Sequence, residues 1–272
     1  MTSDPSLAIG VFDSGMGGLT VLRALRTRLP LESFVYLGDT ARLPYGTKSP
    51  DTVKQYAVQM ARILVERQIK ALVIACNTAT IAALPHLQEI LPDIPVIGVV
   101  SPGAAAAASA TRNKRIAVLA TETTIASKAY QELIVGHLPE AIVTTRACSV
   151  LVALAEEGMV NNTVAREALK HYLSDITQED AILLGCTHFP VFKPLLASLL
   201  PEGVVVVDSA EVTANSLFSV LDSLQLLNSD SANKPKVNYL VTDSVQRFHK
   251  VGKIFLGKDL KIDQIELVDA RF

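Results

Sequence analysis

Two cysteines each close an apolar run and open a polar one: Cys76 in "LVIACNTAT" (72–80) and Cys186 in "ILLGCTHFP" (182–190). A thiol just ahead of a helix feels the positive end of the helix dipole, which favours thiolate and opens nucleophilic, redox or proton-transfer chemistry. Asn77 and Thr78 suit N-capping of a helix through "ATIAALPHLQEIL". Thr187 and His188 lead in the same way towards "VFKPLLASLL". A single cysteine is as readily a small buried hydrophobe, but two in matching settings argue for a shared task. Cys148, in "TTRACSVLVALAEEG", has no capping residue behind it and reads as core.

Other polar strand endings surround these two. "DSGMGG" (13–18) lacks the Gly-Lys-Ser/Thr of a nucleotide P-loop and the dinucleotide glycine spacing. Its amides are expected to hold a carboxylate at the start of a helix near Leu19. Asp13 is either a helix cap there or a group that shifts a nearby thiol's protonation. In "GDTARLPYG" (38–46) the Tyr45 hydroxyl and the Gly46 amide suit a small polar ligand, with a plain turn as the competing reading. Thr121 and Thr124 in "ATETT" are anion binders or ordinary caps. His188 is placed to hydrogen-bond Cys186. The remaining histidines are scattered and no Cys-x-x-Cys occurs, so no metal site is expected. Of the helix-end pair Glu156 and Glu157, Glu157 is the candidate site residue, against a solvated face.

The elements that must position these groups follow from an alternation. Runs apolar on both faces (7–12, 33–38, 71–76, 94–99, 115–120, 181–186 and 203–208) alternate with amphipathic stretches. In "DTVKQYAVQMARILVERQI", Val53, Tyr56, Ala57, Met60, Ile63 and Leu64 fall at helical spacing. The class is α/β, with parallel sheets covered on both sides. A faint internal echo, strand–Cys–Asn/Thr–helix in each half, suggests two similar lobes facing one another. Seams near Gly98–Gly103 and Asp208–Glu211 divide the chain into 1–98 plus 210–272 and 99–209. Ligands collect beyond the carboxyl ends of parallel strands, so the polar endings are expected to converge on one crevice.

The 272 residues carry 25 basic and 27 acidic side chains, with 49% hydrophobic and 5% aromatic residues and no Trp. That balance argues against a nucleic-acid partner. No run approaches the ~20 apolar residues needed to span a bilayer, and the first residues lack a signal-peptide pattern. A soluble cytoplasmic protein without a disulfide framework is expected.

Together, "VFDSGMGG", "GDTARLPYG", "ACNTAT", "ATETTIASKAY" and "GCTHFP" resemble the bacterial glutamate racemases in order and spacing. The resemblance covers nearly the whole chain and thins after about Asp208. It implies two doubly wound lobes related by a pseudo-twofold axis, with the active site between them. It also implies interconversion of L- and D-glutamate without a cofactor, supplying D-glutamate for peptidoglycan. By motif match, Cys76 and Cys186 are the catalytic acid/bases, assisted by Asp13 and His188. Asp13, Ser14, Tyr45, Gly46, Asn77, Thr78, Thr187 and His188 form the substrate pocket, and Thr121 and Thr124 hold the α-carboxylate. Glu157 falls near a further acidic residue of the family. Relatives are commonly homodimers. Some carry an activating N-terminal extension, for which this chain has little room before its first strand.

The chemistry implied accounts for the doubled motif, because inverting a stereocentre needs a base on one face of the α-carbon and an acid on the other. The rivals are an aspartate or hydantoin racemase of the same superfamily, a non-catalytic module binding an acidic ligand, and a thiol redox protein. The last would require a Cys76–Cys186 disulfide across a ligand-wide gap.

Overall fold

A computed structural model describes residues 4–232 and 234–270. Its first sheet contains β1 (Ala8–Asp13), β2 (Phe34–Gly38), β3 (Ile69–Ile74) and β4 (Val96–Gly98). The second contains β5 (Arg115–Ala120), β6 (Ile142–Ala147), β7 (Ala181–Gly185) and β8 (Val205–Asp208). Late in the chain β9 (Val237–Val241) and β10 (Ile265–Leu267) join the first sheet, which runs β10-β9-β2-β1-β3-β4. The second runs β6-β5-β7-β8, and every pairing in both is parallel.

The first four strands and the next four therefore adopt the same order, second-first-third-fourth. The faint sequence echo is a duplicated topology. In this order the crevice opens between the first and third strands, where the helical connections diverge to opposite faces. β1 ends at Asp13 and β3 leads to Cys76; in the second sheet, β5 leads to Thr121 and β7 to Cys186.

The strand cores are buried on both faces, as the unbroken apolar runs require: β3 and β7 are fully buried along their length. β6 was not expected from the sequence, because "IVTTRA" is neither continuously apolar nor cleanly alternating. It is the edge strand of its sheet and mostly half-exposed, so burial placed little demand on its composition.

In the first lobe α1 (Leu19–Arg28), α2 (Pro50–Glu66) and α3 (Asn77–Ile90) cover the sheet. α2 begins with Ser49 accepting from the Thr52 amide and Pro50 in the first turn. It buries the face expected of it except Tyr56, which is half-buried against Tyr45 and under Arg42. α4 (Val100–Ala110) then crosses to the second lobe, with α5 (Glu122–Ala126), α6 (Ala129–His137), α7 (Ser149–Glu156), α8 (Thr163–Leu173) and α9 (Lys193–Ala197). α10 (Ser209–Ser223) packs on both α1 and α4, and α11 (Val245–Leu256) packs against α1 and β10. One hydrophobic cluster consequently runs through both lobes, while a second lies under α2 and α3. Among the described residues no helix is long and apolar enough to cross a membrane.

Candidate active site

The two thiols reach one cavity by different local routes. Cys76 itself is the N-cap of α3, in extended backbone, and its Sγ accepts from the Ala79 amide at 3.5 Å. Asn77 and Thr78, expected as caps, are instead the first helical residues. Their side chains are free to reach across the lobes: Tyr130 donates to Asn77 Oδ1 at 2.5 Å, and Thr78 joins a hydroxyl cluster described below.

Cys186 does not share this setting. A 3-10 turn (189–192) and the five-residue α9 follow it, so no long helix points at the sulfur. Its partner is His188, whose Nδ1 lies 3.9 Å from Sγ. The Pro190 and Pro194 interruptions in "THFPVFKPLL" are the signal for the broken helix.

Both thiols line one tight cavity, together with Ser14, Leu43, Tyr45, Gly46, Asn77, Thr78, Thr121, Val152, Glu156, Thr187 and His188. Cys76 is 5% exposed and Cys186 7%, and the polar groups around them are as deeply enclosed. Asp13 and Thr124 stand behind this wall, fully or almost fully buried. The hydroxyls of Thr78, Thr121 and Thr124 form a triangle with 3.1 Å sides, joining the end of the first sheet to that of the second.

The glycines of "DSGMGG" have a steric role. A Cβ on Gly17 would collide with His188 Nδ1 and Thr187 Oγ1, and one on Gly18 would lie 2.5 Å from Asp13 Cβ. The turn after β1 thus lies directly against the loop carrying Cys186. Thr187 donates to Asp13 Oδ1 at 3.3 Å, and Thr20 donates to the Thr187 carbonyl at 3.1 Å. The Gly15 amide, expected to be open to a carboxylate ligand, donates to Asp13 Oδ2 at 3.0 Å. Nor does Asp13 cap α1, which begins after Gly18 with no side-chain cap.

Electrostatically the cavity opposes charge on the first thiol. Burial, and then the charge of Asp13, push Cys76 up to about 12, against weaker help from the Ala79 amide and Ser14. The helix terminus was expected to favour thiolate; here desolvation outweighs it. Asp13 is raised as well, chiefly by burial, with the charge of His188 and the Gly15 and Gly18 amides opposing. For His188 burial works against the charged form, but hydrogen bonds to Cys186 and Glu156 prevail and hold it up at about 10.

That carboxylate is Glu156, not Glu157. Glu156 Oε1 lies 3.0 Å from His188 Nε2, and the side chain is 8% exposed. Glu157 is 63% exposed and pairs with Arg247 on the protein surface. Helix phase separates them: Val152 and Glu156, four apart on α7, both line the cavity. Reading α7 by its period would have selected Glu156.

The Tyr45 hydroxyl donates to Asp39 and is not open to a ligand, and burial beside Asp39 raises it far above the usual phenol range. Asp39 also accepts from Arg42 Nε (2.7 Å) and Thr242 (2.8 Å), so it shapes the loop that brings Tyr45 and Gly46 to the cavity. Leu43, Val152 and Tyr130 were not singled out from sequence, since each is an ordinary apolar or aromatic residue until the lobes are assembled. Cys148 is core as expected: it is fully buried, with Sγ donating to the Arg146 carbonyl at 3.5 Å. It too lies between a strand and a helix, but its strand, β6, is at the sheet edge rather than beside the crevice. Among the described residues no group of three or more His, Cys, Asp and Glu side chains converges as metal ligands.

The family model for Asp/Glu/hydantoin racemases matches residues 19–217. A glutamate racemase from Geobacter metallireducens is 48% identical over 258 residues, 94% of this chain and 95% of that protein. The crystal structure of glutamate racemase from Thermus thermophilus, in complex with β-chloro-D-alanine, superposes with a TM-score of 0.87 at 40% identity, covering 98% of each chain. That of the Francisella tularensis glutamate racemase, in complex with D-glutamate, gives 0.90 at 36% identity, covering 98% of this chain and 99% of that one. With a duplicated α/β topology, two thiols in one cavity and matches along nearly its full length, the chain belongs to the Asp/Glu/hydantoin racemase family.

Proposed function

We propose that this chain interconverts L- and D-glutamate by cofactor-independent proton transfer, with Cys76 and Cys186 as the two bases. The observation that carries this reading is their equivalence: each follows the third strand of a repeated order, and both open into one closed cavity. One sulfur, as thiolate, takes the α-proton. The electron pair left by the C–H bond spreads into the α-carboxylate, and the opposite sulfur, as thiol, returns a proton to the other face. The product leaves the protonation states exchanged, ready for the reverse reaction.

The surroundings supply what each step needs. In this reading Thr78 and Thr121, backed by Thr124, receive the α-carboxylate and stabilise the charge that develops on it. His188, held by Glu156, provides a positive neighbour for a charged Cys186. Asp13 buried behind Cys76 favours the protonated form of that thiol. A bound substrate must change this balance when Cys76 acts as base, and its ammonium group is a cation of the required sign. Ser14, Tyr45, Gly46, Asn77 and Thr187 complete the substrate pocket.

With its walls almost inaccessible, the cavity exchanges substrate by parting of the lobes, which we assign to 1–98 plus 210–272 and 99–209, with a hinge near Gly98–Gly103. The reading extends to a cytoplasmic enzyme that supplies D-glutamate for peptidoglycan and acts as a homodimer; the similarity to glutamate racemases supports the activity itself. Incubation with L-glutamate in heavy water tests the reading: deuterium should enter the α-carbon as optical activity is lost. Glutamate recovered without deuterium or inversion would sink it, and turnover of aspartate alone would correct the substrate.

A further inference from the structure

We propose that Arg247 is a positioning residue for the Cys186 side of the reaction, reaching from α11 of the first lobe onto Glu156 of the second. The proposal rests on the racemase reading above and concerns a residue outside the cavity wall. Glu156 uses one oxygen on His188 Nε2 at 3.0 Å, while its other oxygen lies 3.8 Å from Arg247 Nη2. The same nitrogen donates to Glu157 Oε1 at 3.0 Å. One guanidinium therefore spans the buried and the exposed carboxylate at the end of α7.

α11 makes a second contact with the same unit. Phe255 lies edge-on to the His188 ring, with centroids 5.1 Å apart and planes at 76°. The imidazole is thus held by Glu156 at Nε2 and packed against Phe255. The orientation of Glu156 is fixed in turn by Arg247. A carboxylate this buried requires partners for both oxygens. Arg247, whose side chain is 44% exposed, can move into water at little cost when the lobes part.

The charges facing His188 are Cys186 from the end of β7, Asp13 from the end of β1 and Glu156 from α7, with Arg247 entering from α11. When Cys186 is charged, three anions surround one imidazolium, and Arg247 supplies the second cation. It also draws on Glu156 and so weakens that carboxylate's hold on the His188 proton. Losing Arg247 therefore has two effects: Glu156 is less well aimed, and His188 keeps its proton to higher pH.

The test compares Arg247→Met, Arg247→Lys and Lys250→Met, the last removing the same charge from an exposed position of the same helix. Glutamate racemisation is followed by circular dichroism across pH, and the His188 ring is titrated by NMR. For Arg247→Met, kcat should fall on the order of 10-fold through misalignment, with KM little changed. The alkaline limb of the rate profile and the His188 titration should both move upward. Arg247→Lys should recover most of the loss, and Lys250→Met should behave as wild type. An unshifted His188 titration in Arg247→Met overturns the proposal, even for a chain that does not turn over glutamate. Wild-type kcat in Arg247→Met overturns it too, as does a loss that lysine fails to restore or that Lys250→Met reproduces. Absence of turnover in the wild-type chain instead sinks the racemase reading.

Discussion

Gly46→Ala should act as a wedge between the lobes. Gly46 lies in the 3-10 turn Tyr45–Thr47 of the first lobe and faces Thr121, which precedes α5 in the second. An added Cβ would lie 2.5 Å from Thr121 Cβ and 2.7 Å from each of its branch atoms, whereas ordinary van der Waals contact begins at 3.4 Å. Neither partner is a flexible chain end. Thr121 is tied to Thr78 and Thr124, and Thr123 binds the Gly46 carbonyl at 2.9 Å and the Lys48 carbonyl at 3.2 Å. The turn and α5 must therefore separate by roughly 1 Å, and inserting a methyl group into a packed site typically costs about 1–3 kcal/mol. Falling on lobe closure, that cost lowers kcat/KM by about 5- to 150-fold, since about 1.4 kcal/mol corresponds to tenfold. Falling on the folded state, it lowers Tm by about 2–4 °C per kcal/mol. Steady-state racemisation and thermal unfolding of the same preparation separate the two outcomes. The variant with both kcat/KM and Tm unchanged would refute the closed lobe contact on which the site depends.

Replacing either thiol, Cys76→Ser or Cys186→Ser, should reduce racemisation by about 10²–10⁴-fold while glutamate binding, measured by calorimetry, largely survives; near-normal rates in both would end the two-base mechanism. Glu156→Gln should lower kcat by at least about 10-fold through loss of the partner that charges and orients His188, whereas Glu157→Gln should change it less than about threefold; the reverse ranking in steady-state assays would restore Glu157 as the site residue. Because Cys76 is raised to about 12 in the fold, the protonated thiol is favoured there and an unfolded chain ionises first. Stability from this group is complete below about pH 8.5 and is lost as pH rises towards 12, so urea midpoints should fall more steeply with pH in wild type than in Cys76→Ser. Parallel slopes would show that burial does not hold the thiol neutral.

Much of the site was legible because strand-end chemistry is local. The runs before Cys76 and Cys186 marked buried parallel strands, and the polar residues after them marked the carboxyl-end crevice where ligands collect. Asp13, Ser14, Thr121 and His188 were selected on the same basis. The differences arose where a residue's surroundings depend on how loops fold and helices dock. The Tyr45 hydroxyl stayed open between ligand anchor and plain turn because Asp39's hold on it depends on how the intervening loop folds. Glu157 was offered to the site against a solvated face, which it has, and Glu156 was passed over because only the docking of α7 shows which of two adjacent carboxylates turns inward. The helix dipole was credited with control of Cys76 because local sequence shows the helix but not the depth of burial.

Apolar patterning and strand-end residue types, which act within a few positions, were enough to determine the α/β class, the repeated strand–cysteine unit and the two thiols. Only the tertiary structure decided that burial outweighs the helix terminus at Cys76, that no long helix follows Cys186, and that a threonine triangle and an arginine join the lobes. Those outcomes depend on desolvation and on contacts between residues far apart along the chain, such as Asp13 and Thr187, 174 positions apart. Both depend on how the lobes dock, and residue spacing along the chain does not encode that.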